Sequence, residues 1–227
     1  MATFLELVND VARESGTVSE SQELMTVTGA TGRLRKIVGW TRQAWEMIQR
    51  SRNNWTFTRT QFAAELTIGQ TQYDPVTDLG IADFGRWLPY GDTLGTPTIY
   101  DASVGRADET PLAAISFRDF AHRFLIGTPD NIRPGVYAVG GRMLHIGGPP
   151  DKAYKIRGFY RRGVQSLAAD ADEPYIDEQY HQAIVWRALM LLGDDDEAPF
   201  EIASSRAQYE QIYYALVRDY TDMVVMG

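Results

Sequence analysis

Apolar residues recur at three- and four-residue intervals in two stretches near the start of the chain, which predicts two amphipathic helices. The first is predicted over Thr3–Ser15, where Thr3 and Glu6 have the spacing of a capping box and Gly16 follows the last turn. The second is predicted over Gly32–Arg52 and carries one apolar stripe along its length. The connection between them is polar and rich in Ser, Thr and Gly, which predicts a loop.

In the middle of the chain, apolar and polar residues alternate over short runs, which predicts strands. Gly140-Gly141 and Gly147-Gly148 mark turns, because glycine adopts positive φ without strain. One short helix, Ser116–Phe124, interrupts the strands. The predicted strands are Thr56–Thr60 and Phe62–Ile68, as a pair or as one bent strand, then Arg86–Pro89, Thr98–Asp101, Val136–Val139, Met143–Ile146 and Tyr154–Arg161.

Helical patterns return in the last third of the chain. Asp172-Glu173-Pro174 has the composition of a helix start, with an acid before a proline at the first helical position. From there to Leu192 the predicted helix is apolar nearly all round, as in a helix at the centre of a core or at an interface. A last helix is predicted over Phe200–Val224.

These elements together predict an α+β fold. About four helices from both chain ends would form an antiparallel bundle, and the β-rich middle would be an insertion into it. The predicted parts are residues 1–55 and 163–227 for the bundle and residues 56–162 for the insertion. Trp45 lies on the apolar stripe of the second helix and Trp186 lies in the apolar helix, so both are predicted to anchor the core.

The two signs of charge are separated along the chain. The whole chain has a net charge of −8, yet the stretch Arg33–Arg59 contains seven basic residues and one acid. Residues 165–227 contain three basic residues and thirteen acids. Such separation is typical of a protein that contacts another charged surface, including a copy of itself. The predicted interface residues are Arg33, Arg35, Lys36 and Arg42.

The same basic stretch allows a second interpretation. Trp40, Trp45 and Trp55 are interleaved with its arginines, as in proteins that stack single-stranded nucleic acid on aromatic rings. Because Trp45 falls on the predicted core stripe, and Trp55 falls where a helix meets a strand, an electrostatic protein interface is the favoured interpretation.

No motif for catalysis, a cofactor or a metal occurs in the sequence. The chain has no cysteine, which excludes disulfides and thiolate metal sites. His122, His145 and His181 have no second histidine at ligand spacing. The acidic run Asp194–Glu197 lacks the glycine and the spacing of a calcium loop and is interpreted as a solvated turn between helices. We therefore predict a protein that is not an enzyme and uses no cofactor or metal.

Neither a signal peptide nor a membrane span is predicted. The first ten residues lack a basic segment followed by an apolar one. The longest apolar run, Ala183–Leu192, is interrupted by Arg187 and is too short to cross a bilayer. The sequence therefore predicts a soluble protein.

Several segments, taken in order, resemble the adaptor proteins of tailed bacteriophages, which are head-to-tail connector or head-completion proteins. The segment Thr26–Gly32 has the pattern T-x-T-G-x-T-G and leads into the tryptophan-bearing helix Arg33–Gln49, as in that family. The resemblance extends from Phe4 to Ala198, apart from residues 74–110. The further matching segments are Arg133–Tyr137, Pro149–Tyr154, Tyr160–Arg162, Asp170–Pro174 and Tyr180–Leu189.

The resemblance implies a structural virion protein that assembles as a twelve-membered ring on the portal vertex of the capsid. It implies retention of packaged DNA and a platform for the tail. The implied partners are the portal protein, neighbouring copies, a tail or nozzle protein, and DNA passing through the channel without sequence-specific contact. The implied location is the virion neck, after synthesis in the host cytoplasm, with no membrane contact. The interface residues named above would then face a neighbouring subunit or the portal.

Two other classes of protein stay open. Another phage neck or tail protein, whose β-rich insertion binds a partner, would share the absence of catalytic motifs. A virion-carried peptidoglycan hydrolase would need two carboxylates, or a histidine metal site, in one pocket. No pair of acids in the sequence is marked for that role.

Overall fold

The structure is a computed structural model that describes residues 2–88, 94–127, 129–196 and 199–221. Five α-helices and nine strands occur within these ranges, which confirms the predicted α+β class. The chain divides into two compact units. The helical unit comprises Met1–Phe57 and Val164–Gly227, and the β unit comprises Thr58–Gly163.

The helical unit contains four described helices, and one of them, Gln182–Asp195, contacts each of the other three. They are α1 (Phe4–Glu14), α2 (Gly32–Arg50), α4 (Gln182–Asp195) and α5 (Pro199–Tyr220). One apolar cluster lies between them and includes the large side chains Phe4, Trp45, Ile48 and Trp55. The four helices therefore share one core, while their arrangement as an antiparallel bundle stays a prediction.

The start of α1 follows from its sequence. The backbone N–H of Thr3 donates to Glu6 Oε2 (2.7 Å) and the backbone N–H of Glu6 donates to Thr3 Oγ1 (3.3 Å). This capping box satisfies two backbone donors that a helix start otherwise leaves free. After Ser15, Gly16 has φ of 63° and ends the helix in the left-handed region.

The predicted start of α4 at Asp172 is wrong. Asp172 instead accepts hydrogen bonds from the backbone N–H groups of Ala168 (2.6 Å) and Ala169 (2.8 Å). These bonds lower the pKa of its carboxyl group and hold a turn that precedes it in the chain. A short 3₁₀ turn, Glu178–Tyr180, follows before α4 begins at Gln182. The predicted end of the last helix at Val224 lies outside the described residues.

The β unit contains two sheets. In the first, β9 (Tyr154–Arg162) pairs with the whole length of β1 (Arg59–Leu66), in antiparallel register from Leu66↔Tyr154 to Arg59↔Arg161. The other edge of β9 pairs with β4 (Thr98–Asp101) and then with β3 (Phe84–Trp87). The remaining strand of this sheet, β5 (Thr110–Pro111), pairs with β4. The central strand is therefore the last one in the chain.

The second sheet has the order β2-β8-β7-β6. Its centre is the antiparallel hairpin of β7 (Val136–Gly140) and β8 (Met143–Gly147), and the short helix α3 (Phe117–Phe124) contacts both strands. The outer strands are β2 (Gln72–Tyr73) and β6 (Ala113–Ala114). Gly141 has φ of 63° in the hairpin turn, which explains the predicted glycine pair there.

Most predicted strands occur with shifted ends. Thr56–Thr60 and Phe62–Ile68 are replaced by β1 alone, which follows a 3₁₀ turn at Thr56–Thr58. The strand predicted at Arg86–Pro89 is β3, Phe84–Trp87, and Pro89 lies outside the described residues.

A carboxylate network in the β unit joins β4 to the chain that follows it. Asp101 pairs with Lys152, and hydrogen bonds from Lys152 and then Ser103 lower the pKa of the Asp101 carboxyl group. Asp108 accepts from the backbone N–H of Asp101 (3.0 Å) and pairs with Arg133 (2.7 Å), and these contacts lower its pKa also. Both side chains are therefore stabilised as carboxylates in the folded state.

We expect the β unit to lose stability in acid. A carboxyl group whose pKa is lower in the folded state contributes stability above its unfolded pKa of about 3.9, and that contribution is lost as the pH falls through the folded value. Thermal melting at pH 7 and pH 3 measures the effect, with Asp101→Asn/Asp108→Asn as the comparison. The variant should lose less stability between the two pH values than the wild type. An equal loss in both proteins would contradict the assignment.

Candidate interaction surfaces

Two of the predicted interface residues at the start of α2 form ion pairs within the chain. The Arg33 guanidinium donates through Nη1 to Asp196 Oδ1 (3.0 Å) and through Nη2 to Asp196 Oδ2, and its Nε–H donates to Thr17 Oγ1 (2.9 Å). Lys36 Nζ lies 2.8 Å from Asp195 Oδ2. The hydrogen bonds from Arg33 lower the pKa of Asp196. The opposite charges of the two chain halves are therefore partly paired with each other.

The described part of the acidic run is exposed, as expected for a solvated turn, but these contacts add ion pairs that the interpretation did not include. Asp194 and Asp195 belong to the last turn of α4, and Asp196 is its C-cap. Asp194 is exposed, while the next two acids pair with α2. Glu197 lies outside the described residues.

The other two predicted interface residues differ in environment. The Nε–H of Arg42 donates to the Leu167 carbonyl oxygen (2.5 Å), and its guanidinium lies over the Phe4 ring at 5.7 Å. Arg35 is exposed, and within the described part of the chain its side chain has no hydrogen-bond or ion-pair partner. Of the four, Arg35 is the one with every side-chain donor available to a partner molecule.

Charge reversal at Arg42 and at Arg35 should distinguish a side chain that stabilises the fold from one that is only exposed on the surface. Arg42→Glu is expected to lower the free energy of unfolding by about 1.5–3 kcal/mol, because it removes a charged donor from a backbone carbonyl. Arg35→Glu is expected to stay within about 0.5 kcal/mol of the wild type, as for other exposed positions. Urea unfolding followed by circular dichroism measures both. A loss for Arg35→Glu as large as for Arg42→Glu would contradict the distinction.

The three tryptophans of the basic stretch do not form a stacking platform. Trp45 and Trp55 are buried, and their indole N–H groups donate inside the protein, to Gln165 Oε1 (2.9 Å) and to the Ile48 carbonyl (3.1 Å). Trp40 is half-buried with Lys36 Nζ 5.8 Å from its ring centre. Base stacking needs an accessible ring face. The structure therefore favours a protein interface over the nucleic-acid interpretation.

Trp186 is only half-buried, in contrast with Trp45. It lines a groove of about 560 Å³ where the end of α1, the middle and end of α4 and the first half of α5 meet, together with Leu189 and Leu192. The apolar sequence of α4 suggested burial on all sides. One part of α4 instead faces this groove.

The loop before α2 is anchored at two points. The Asn9 side chain donates to the Leu24 carbonyl oxygen (3.0 Å) and accepts from its backbone N–H (2.9 Å). The backbone N–H of Val27 donates to Asp170 Oδ1 (2.7 Å). Between these anchors, the Met25 side chain is 89% exposed. Sequence reasoning missed Met25, because no pattern distinguishes one methionine in a polar loop.

Four large apolar side chains of the β unit are exposed in or after α3: Phe117, Leu125, Ile126 and Ile132. Exposed apolar side chains of this size can contribute to contact surfaces. The exposure of these side chains was not predicted, because the sequence pattern of a short helix does not show which of its apolar residues the fold leaves uncovered.

The histidines do not assemble a metal site. His145 is buried, with ring centres 4.8 Å from Phe117 and 5.2 Å from Phe120, and burial lowers its pKa. His181 is also buried, and its Nε2 lies 3.0 Å from the Ile176 carbonyl oxygen. Across the described ranges, no three His, Asp or Glu residues form a group able to hold a metal ion.

The described helices include none with both the length and the apolar character needed to cross a bilayer.

Comparison with curated proteins gives no match to the sequence. Comparison with protein families matches the family described as "SU10 adaptor protein" over residues 2–225, which is nearly the whole chain. The order of segments from the T-x-T-G-x-T-G loop onward had indicated an adaptor of this type. The chain therefore belongs to the SU10 adaptor protein family, a family of bacteriophage structural adaptors.

Proposed function

We propose that this protein is a head-to-tail adaptor that assembles as a ring of twelve copies on the portal vertex. The observation that carries the proposal is the family match over residues 2–225. In this position the ring retains the packaged DNA and forms the platform on which the tail is attached. Its partners are the portal protein, neighbouring copies and a tail or nozzle protein.

Features of the helical unit support assembly into a ring. A ring built from head-to-tail contacts needs two different surfaces on each subunit. The helical unit exposes large apolar side chains on different elements, among them Met25 in the anchored loop and Tyr214 on α5, so it offers more than one candidate surface.

The charge of the chain supports a passive role toward DNA. A net charge of −8 opposes strong binding to phosphates, which relies on Lys and Arg. Three of the basic side chains in the Arg33–Arg59 stretch, Arg33, Lys36 and Arg50, already pair with acids of the same chain. DNA therefore passes through the ring without sequence-specific contact.

The proposal places the protein in the virion neck, after synthesis in the host cytoplasm, and assigns it no enzymatic activity. Phage particles produced without the protein test it. The expected result is DNA-filled capsids that lack tails and release their DNA. Tailed particles that keep their DNA would contradict the proposal.

A second candidate is another neck or tail protein whose β unit binds a partner. The exposed side chains of Phe117, Leu125, Ile126 and Ile132 favour it, because they offer apolar surface on the β unit. Labelling the protein in intact virions distinguishes the two. The adaptor proposal expects twelve copies at the portal vertex, whereas the alternative expects label along the tail or a different copy number.

A further inference from the structure

A groove of about 470 Å³ opens on the helical unit where the end of α2, the middle of α4 and α5 meet. Its walls combine two arginines, two tyrosines and one methionine. Tyr209 and Tyr213 stack with ring centres 5.2 Å apart, and the Tyr213 hydroxyl contacts Ser51 Oγ at 2.9 Å. The lining residues are Met47, Arg50, Ser51, Arg187, Tyr209 and Tyr213.

Arg187 is the cation in this groove that contacts thioether sulfurs and an aromatic ring instead of a carboxylate of the described residues. Its guanidinium donates to the thioether sulfurs of Met190 and Met47, each at 3.8 Å, and lies 5.7 Å from the centre of the Tyr209 ring. Thioethers are weak acceptors, and no carboxylate in the described ranges pairs with Arg187. Arg187 is half-buried, so its charge has lost part of its hydration without gaining an anion.

The neighbouring groups do not neutralise Arg187. Burial raises the pKa of Tyr209 to about 12, so its phenol stays uncharged at neutral pH. The second cation of the groove, Arg50, lies 3.1 Å from Glu46 and keeps 60% of its side chain exposed. The groove therefore presents positive charge beside aromatic rings, which suits a carboxylate on a protein partner.

A row of carboxylates with the complementary charge lies on α1. Glu6, Asp10 and Glu14 are spaced by four residues, so they lie along one stripe of the helix. Glu6 and Glu14 are exposed, and within the described part of the chain Glu14 has no ion-pair partner. Arg13 is the basic residue of this helix, and it pairs with Asp10 and Glu23.

The row and the groove lie on different sides of α4. Asp10 Oδ2 accepts a hydrogen bond at 3.5 Å from Gln182, the first residue of α4. Arg187 follows five residues later, and at 3.6 residues per turn the two side chains point about 140° apart around the helix. One copy can therefore offer its row to one neighbour and its groove to another.

We propose that the α4–α5 groove of each copy binds the acidic row on α1 of a second copy of this chain, with Arg187 and Arg50 facing Glu14. This contact rests on the proposed ring and assigns its subunit interface. It is heterologous, so repeated contacts close into a ring or extend as a filament. It also differs from the interface predicted at the start of α2, where Arg33 and Lys36 pair within the chain.

Charge reversal on each side tests the contact, using purified portal rings as the assembly template. Glu14→Arg alone and Arg187→Glu alone should each lower the apparent affinity between copies about tenfold, which corresponds to about 1.4 kcal/mol. An equimolar mixture of the two variants should recover complete rings. In a ring of alternating variants, one contact keeps the native charge pair and the next joins the two reversed charges, which again have opposite sign. Arg206→Glu, an exposed reversal on α5 outside the groove, should assemble as the wild type does.

Class averages from electron microscopy count complete rings, and circular dichroism checks that each variant folds. If Arg187→Glu does not fold, Arg50→Glu takes its place, since that side chain is exposed. Normal assembly of both variants, or loss in both without recovery in the mixture, would overturn the assigned contact. Failure of the wild-type protein to form rings on the portal would instead overturn the proposed function.

Discussion

Replacing Trp45 by Ala is expected to lower the free energy of unfolding of the helical unit by about 3–5 kcal/mol. Trp45 is fully buried between helices, lies 5.8 Å from the Phe57 ring, and donates its indole N–H to Gln165. The substitution leaves a cavity and removes the partner of a side-chain amide oxygen. Urea unfolding followed by helical circular dichroism measures the loss.

Trp186→Ala is the matched control for this substitution. The same atoms are removed, but Trp186 is half-buried at the edge of a groove. Its loss of stability should be clearly smaller than that of Trp45→Ala, because less apolar surface returns to water. Equal losses for the two variants would show that the two side chains do not differ in burial.

In the β unit, Gly85→Ala is expected to cost about 1–3 kcal/mol, as overpacking does in a well-packed protein. An added Cβ at Gly85 would lie 2.6 Å from the Arg162 carbonyl oxygen and 2.7 Å from the Gly163 nitrogen. Both atoms belong to the backbone at the end of β9, so neither can rotate away. The strand pairing between β3 and β9 must shift instead.

Gly135→Ala is the control for that prediction. A Cβ at Gly135 has no described heavy atom within 4 Å outside its chain neighbours, and its φ is not in the left-handed region. Its thermal melting temperature should stay close to that of the wild type. A Gly85→Ala protein that melts at the same temperature as Gly135→Ala would contradict the close approach of β3 to β9.

The elements that the sequence predicted best are those in which an apolar repeat continues over many residues, or in which a specific turn motif occurs. The apolar stripe of α2 spans five turns, and Gly140-Gly141 fixed the position of the β7–β8 hairpin. The strands β2, β5 and β6 have two residues each, which is too short for any period to appear. The start of α4 was misplaced because Asp172 caps a turn behind it, and helix starts and turns use the same residue types.

Charge was predicted as a pattern but not as a set of contacts. The sequence shows that basic and acidic residues are separated, yet Arg33 and Asp196 are 163 positions apart and their pairing depends on the fold. Arg187 did have a signal, as the one cation inside an otherwise apolar helix, and it was treated only as an interruption. Removing a charge from water is costly unless the charge is paired, so a cation inside an apolar helix is a reason to search for the anion that would bind it.

The adaptor function was indicated by the order of several weak segments and not by any single residue. A structural protein has no catalytic constellation, so its function depends on surfaces that form only after folding. The family match, together with an Arg187 that pairs with no carboxylate of the described residues, now gives those surfaces a testable assignment.

Electron cryomicroscopy of the purified protein mixed with the portal ring of the same phage tests the central claim most directly. The predicted result is a closed ring of twelve copies, coaxial with the portal. Portal rings without added density, or copies bound individually without contacts between neighbours, would contradict the assignment of this protein as a ring-forming head-to-tail adaptor.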